Sequence, residues 1–299
     1  MEEFKEISVK DKNLIDKYLS KFSLNFDNPI ISDWNFTNLV FYKEIPKFKY
    51  KIIDNNLCLL GNVFNRKEPH LYPIFGEYDF NSFFSLIKKL FKILKKNVLN
   101  FCFVPYNLLG YFLMLKKHYD IKIDCGRDES DYVYSILNFK KCIKKNRMLN
   151  FMKKHNPNFE IINEKNKNNC LDIQKKYWCK IKKCKKCTYC SFNFIKNLLN
   201  NYKFLDICGF FVKNKYEYLG FVLTLKNTNT LAIYETKYCH LSGLNYYIFD
   251  LIVKKLADSN IKWINFAADD GIENLRRYKR HFCKKYELLN KYYIEISKI

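Results

Sequence analysis

No stretch of this 299-residue chain reaches 18 uncharged apolar residues, about the length a membrane-spanning helix needs. The longest apolar run, 98–115, is broken by Asn100, Pro105, Asn107 and Gly110, and reads as strand, turn and helix. Residues 1–25 are charged throughout and lack the apolar core of a secretory leader. Both absences predict a cytoplasmic protein, at most peripheral to a membrane, whose twelve cysteines are mostly free thiols. Arginine is scarce, six of 53 basic residues, while Lys, Asn, Ile, Tyr and Phe abound. That bias follows A/T-rich coding, so the formal net charge of +23 overstates selection for charge, and its clustering matters more than its sum. The histidines (His70, His118, His155, His240, His281) form no pair with metal-ligand spacing.

A hydrophobic content of 48% supports a packed core, and the length suits two domains. One central stretch, 130–160, stands out. Between Tyr132 and Phe159 there is no acidic residue, while Lys140, Lys141, Lys144, Lys145, Arg147, Lys153 and Lys154 are cationic. Phe139, Ile143, Leu149, Phe151 and Met152 are spaced to bury one face of a helix. A single basic helix over 138–158, about 25 Å of cationic face, is therefore predicted to connect the two domains. A polyanion is its natural partner; a solvated amphipathic helix is the plainer alternative. A second helical stretch, 170–202, is equally basic.

The elements on either side follow similar orders. After the connector come a strand at 159–162, antiparallel strands at 205–212, 218–226 and 231–238, a helix at 243–259, a strand at 263–267, a short helix at 271–281 and a final strand at 286–296. This is the order of the N-acyltransferase (GNAT) fold. The first half has hairpin, helix, strand, helix, strand, compatible with a degenerate copy. The predicted architecture is α/β: tandem GNAT-like domains at 1–137 and 159–299. An acyl-CoA enzyme of this fold needs a Gly-rich loop after its fourth strand, where backbone N–H groups bind pyrophosphate. Tyr238-Cys239-His240-Leu241-Ser242-Gly243 keeps one glycine, so no cofactor is expected.

Several segments carry a family resemblance. They are Asp131-Tyr132-Val133-Tyr134, Lys145-Asn146-Arg147-x-x-Asn150-Phe151, Glu235-Thr236-Lys237, Asn265-Phe266-Ala267-Ala268-Asp269-Asp270-Gly271 and Leu275-Arg276-Arg277-Tyr278-Lys279, with Phe4 and Ser32-x-x-x-Phe36-Thr37-Asn38-Leu39 near the N-terminus. Together they resemble the DUF2156 family, the soluble group related to the C-terminal domain of phosphatidylglycerol lysyltransferases. The resemblance implies two GNAT-like domains and transfer of an aminoacyl group from tRNA to a lipid or another amine or hydroxyl acceptor. Two departures stand out. Ala267 and Ala268 occupy positions usually charged, and Thr236 interrupts the Glu-Lys pair.

An aminoacyl ester is already activated, so the enzyme must position a nucleophile, accept its proton and stabilise an oxyanion. Asp270 and Glu235 are the expected catalytic carboxylates; Asp269 or Asp270 as a helix cap is the plainer reading. Lys237, His240, Arg276, Arg277 and Lys279 are expected to bind substrate. Lys144, Lys145, Asn146 and Arg147 are expected to bind tRNA phosphates. Cys179, Cys184, Cys187 and Cys190 have close spacing but sit in a Lys-rich stretch without turn residues, so no metal is expected. Two alternatives stay open: an acyl-CoA N-acyltransferase with a divergent loop, and a non-catalytic module binding nucleic acid or an anionic membrane surface.

Overall fold

The structure is a computed structural model that describes residues 3–24, 29–41, 48–62, 68–179, 192–227, 229–257 and 260–299. In the first half, β1 (Lys5–Glu6), α1 (Lys12–Leu24) and α2 (Phe36–Phe41) precede the hairpin of β2 (Lys49–Ile53) and β3 (Asn56–Asn62). Asp54 and Asn55 make its turn at φ +48° and +59°, a conformation their short polar side chains tolerate. Then follow β4 (Pro69–Leu71), α3 (Phe80–Leu94), β5 (Val98–Val104), α4 (Leu109–Met114), β6 (Tyr119–Cys125) and β7 (Asp131–Ser135). α3 starts where Asp79 accepts the Ser82 N–H at 2.7 Å, and it buries Phe83, Leu86, Ile87, Leu90 and Phe91, a 3.6-residue stripe.

The second half contains α5 (Ile136–Cys142), α6 (Lys145–His155), β8 (Asn158–Ile161), α7 (Asn169–Gln174), α8 (Phe192–Asn200), β9 (Ile207–Lys213), β10 (Tyr218–Asn227) and β11 (Thr230–Tyr238). It ends with α9 (Leu244–Leu251), β12 (Trp263–Asn265), α10 (Glu273–Phe282), β13 (Glu287–Leu289) and β14 (Tyr292–Lys298). Among the described residues, no helix is long and apolar enough to cross a membrane.

Two seven-stranded sheets result, ordered β1-β2-β3-β4-β5-β14-β6 and β13-β7-β12-β11-β10-β9-β8. Each has a parallel pair, β4 with β5 and β11 with β12. Counting strands within each half gives the same order for both, 1-2-3-4-5-7-6. In each, the seventh strand comes from the other half: β14 completes the first sheet, and β7 the second.

The two compact units are therefore discontinuous. One holds 1–131, 268–271 and 288–299, the other 132–267 and 272–287. A cut into 1–137 and 159–299 misses this, because a strand's own alternation does not say which edge it will pair with. The basic segment is likewise not a connector: α5 and α6 both belong to the second unit. Ile143 is extended (ψ 114°) and breaks the expected single helix. The break resets the helical phase, so Met148 and Phe151 face inward while Leu149 and Met152 are exposed. Cys142 at the end of α5 is disulfide-bonded to Cys283, departing from the expectation for those two thiols; Cys58, Cys102, Cys125, Cys170, Cys208 and Cys239 are free.

Candidate functional site

In the second unit β11 and β12 pair over three residues, Thr230–Ala232 against Trp263–Asn265, and then part. Beyond that point β11 continues to Tyr238 on β10. The β10–β11 register slips between Leu223, opposite Glu235, and Thr224, opposite Ile233, so Tyr234 is an extra residue in a bulge. Glu235 and Lys237 lie on this stretch, Lys237 opposite Phe221; their side chains lie outside the described residues.

At the end of β11 three polar side chains form a chain. Tyr278 of α10 is hydrogen-bonded to Tyr238 and to Asn245 in the first turn of α9. All three are satisfied at once when the Asn245 amide donates to Tyr278 and Tyr278 donates to Tyr238, leaving the Tyr238 O–H as terminal donor. Desolvation by surrounding atoms pushes both phenols up, although Tyr278 keeps 36% of its surface exposed. Both therefore remain protonated donors at neutral pH.

The motif segments meet at Lys279. Its ammonium donates to the carbonyls of Phe266 (2.6 Å) and Ala267 (2.9 Å) and lies over the Tyr132 ring. The Ala267 carbonyl also accepts the Tyr132 N–H, Phe266 N–H bonds the Tyr132 carbonyl, and Tyr134 O–H donates to the Lys279 carbonyl at 2.9 Å. Ala267 sits at φ +55°, strained for a residue with a Cβ; the Asn265 side chain, accepting its N–H at 2.7 Å, helps to hold it there. Lys279, expected to bind substrate, is thus a buried latch that shapes the strand end. Arg276 is half-buried and Arg277 exposed; both pair with Glu273, at 3.9 and 4.0 Å. His240 is exposed.

Asp269 and Asp270 belong to the first unit. α10 begins at Glu273 after Ile272 with no side-chain cap, so neither aspartate caps it. Asp269 is fully buried, accepts the Gly271 N–H at 3.0 Å and pairs with Arg127 at 3.7 Å. Asp270 is exposed, at φ +51°. Lys291 in the same unit is buried between Asp33 (2.5 Å) and Asp131 (2.6 Å), and Asp131 also accepts from Ser32 N and Oγ. Burial pulls the Lys291 ammonium down, but the two carboxylates outweigh it and hold it above the usual range. Burial, joined by repulsion from Asp131 and Asp270, pushes Asp33 up against the attraction of Lys291. The first residue of the Asp-Tyr-x-Tyr segment is thus a structural ion.

Part of the loop before α9 is already occupied. The N–H groups of Cys239, Leu241 and Leu244 donate to the carbonyls of Leu219, Cys239 and Leu241. Gly243, at φ +92°, packs so closely on α6 that a Cβ there would lie 2.2 Å from the Arg147 carbonyl oxygen. Its glycine is thus explained by helix packing. On α6 and its leading residue, Lys144, Lys145, Asn146 and Arg147 are all exposed. Residues 180–191, with Cys184, Cys187 and Cys190, lie outside the described residues, as does the Cys179 side chain; no cluster that could hold a metal occurs among the described residues. A cavity of about 220 Å³ in the first unit, lined by His70, Lys122, Asp124, Tyr293 and Glu295 among others, contains none of the expected site residues.

No protein-family model and no curated protein matches the sequence. Solved structures do match. A conserved protein of unknown function from Bacteroides thetaiotaomicron VPI-5482 superposes with TM-score 0.84 at 19% identity, covering 100% of both chains. The C-terminal DUF2156 domain of a protein assigned as a lysylphosphatidylglycerol synthetase from Agrobacterium fabrum gives 0.62 at 10% identity, covering 95% of this chain and 92% of that one. A tandem GNAT protein from clavulanic acid biosynthesis gives 0.50 at 6%, covering 99% and 98%. The fold is a tandem GNAT fold. A DUF2156 domain is among its structural neighbours.

In the tandem GNAT frame β11 and β12 are the fourth and fifth strands of the second unit, as expected from the sequence. Sequence reasoning missed Tyr238 and Asn245. Tyr278 lies inside the Leu-Arg-Arg-Tyr-Lys segment it singled out, but its neighbours are long-range and carry no local signal.

Proposed function

We propose that the chain is an aminoacyltransferase that takes an aminoacyl group from aminoacyl-tRNA and passes it to a lipid or another amine or hydroxyl acceptor, without coenzyme A. The observation that carries this reading is the loop before α9. In a CoA-dependent GNAT, free N–H groups there bind pyrophosphate; here three already donate to carbonyls, and α6 abuts Gly243. The same helix presents Lys145 and Arg147, with Lys144 just ahead, suited to RNA phosphates. The assigned lysylphosphatidylglycerol synthetase among the structural neighbours favours a tRNA-borne donor over acyl-CoA.

In this reading the Tyr238 hydroxyl, polarised through Tyr278 and Asn245, donates to the oxyanion formed as the nucleophile adds to the ester carbonyl. Glu235 is the candidate acceptor of the nucleophile's proton, and Arg276, Arg277, Lys237 and His240 are candidate substrate contacts. Incubation with total tRNA charged with radiolabelled amino acids, plus cell extract, tests the proposal. Label should move into a tRNA-independent product. A rise in melting temperature with CoA, and acyl transfer from it, would favour the N-acyltransferase alternative.

A further inference from the structure

The helical segment 106–117 of the first unit has two unlike faces. Leu108, Phe112 and Leu115 are buried, at helical spacing. The opposite stripe is Tyr106, Gly110, Leu113 and Met114. Tyr106, Leu113 and Met114 remain 75%, 46% and 51% exposed, and nothing lies within 4 Å of the Gly110 Cβ position. Isolated exposed apolar side chains are ordinary; three on one stripe mark an interaction surface. Lysines flank it. Lys116 and Lys117 close the segment, exposed, and Lys88 of α3 lies over Phe84, whose ring stacks on His118 at 4.6 Å. None of the three pairs with a carboxylate among the described residues.

We infer that this face docks the protein on an anionic lipid bilayer. Tyr106, Leu113 and Met114 enter the headgroup region, and Lys88, Lys116 and Lys117 meet the lipid phosphates. A short helix with an apolar face, a tyrosine at one end and lysines at the other is suited to that interface. A second copy fits poorly, because two chains of net charge +23 repel. RNA phosphates gain nothing from Leu113 and Met114. The assignment goes beyond the proposed reaction and does not rest on it.

Co-sedimentation of the full chain with vesicles tests it. Phosphatidylcholine vesicles should bind weakly, and phosphatidylcholine–phosphatidylglycerol vesicles strongly. Leu113→Gln with Met114→Gln leaves the charge unchanged and should weaken binding to the mixed vesicles at least about tenfold. Lys116→Gln with Lys117→Gln should weaken it about 25-fold, ~1 kcal/mol per lysine. Circular dichroism confirms that the surface variants fold. Unchanged binding by the apolar double variant would overturn the proposal, since general charge would then suffice. So would its converting a dimer to a monomer, or its losing affinity for poly(U), either of which names a different occupant.

Discussion

The two GNAT units carry the same strand order but treat the gap between their fourth and fifth strands differently. In each, the second residue beyond the last parallel pairing is left-handed: Phe103 after Phe101, and Ala267 after Asn265. In the first unit that residue is large. The Phe103 ring meets Tyr72 from the diverging strand at 5.4 Å, with Phe48 packed behind, and Lys291 lies over it. All three aromatic rings are buried, so the gap is plugged. In the second unit the residue is alanine, and Thr236, Tyr238 and Ala267 around the gap stay half-exposed. The two units thus differ in side-chain volume at one left-handed position.

The comparison can be broken first in the scaffold. Phe103→Ala should cost about 3 kcal/mol or more in chemical denaturation, through a cavity among buried rings. A loss under 1 kcal/mol would mean the plug is not packed as described. Lys291→Met should cost about 3 kcal/mol at neutral pH, because Asp33 and Asp131 lose their counter-ion while buried. The Lys291 value in the folded state lies above the unfolded ~10.4. Its contribution is therefore full below about pH 10 and declines only as pH rises further. Wild type and variant curves should thus converge at alkaline pH and not at neutral pH.

Smaller effects sharpen the second unit. Ala267→Gly should stabilise by about 1 kcal/mol by relieving the left-handed strain, and a loss of stability would show that the methyl group packs. Glu160 is held below the usual carboxylate range chiefly by hydrogen bonds from Lys213 and Asn166. A depressed carboxylate stabilises above its unfolded value near ~4.3, and that stability goes as pH falls through the lowered value. Glu160→Gln should cost about 0.5 kcal/mol at pH 7, since the pair is partly exposed, and nothing at pH 2.

What could be read in the sequence was local. The Asp54-Asn55 turn, the α3 stripe and the order of strands before and after β12 follow from periodicity and turn chemistry. The exchange of β7 and β14 could not be read, because pairing partners lie far along the chain. Lys279 was expected to bind substrate, but its burial against the Phe266 and Ala267 carbonyls depends on contacts 12 and 13 residues away. Likewise Leu149 and Met152 fitted an uninterrupted helix, and the break at Ile143 moved them to the surface. The equivalence of Phe103 and Ala267 emerges only from the strand registers.

The central proposal is that the chemistry belongs to the second unit. The most direct test is aminoacyl transfer from charged tRNA by wild type, Tyr278→Phe and Phe103→Leu side by side, with a melting curve for each. Tyr278→Phe should remove the hydrogen bond to Tyr238, keep its fold, and lower the transfer rate about 100-fold or more. Phe103→Leu should lose stability but transfer at the wild-type rate while folded. Full activity in Tyr278→Phe, with a folded but inactive Phe103→Leu, would place the chemistry elsewhere and contradict the account.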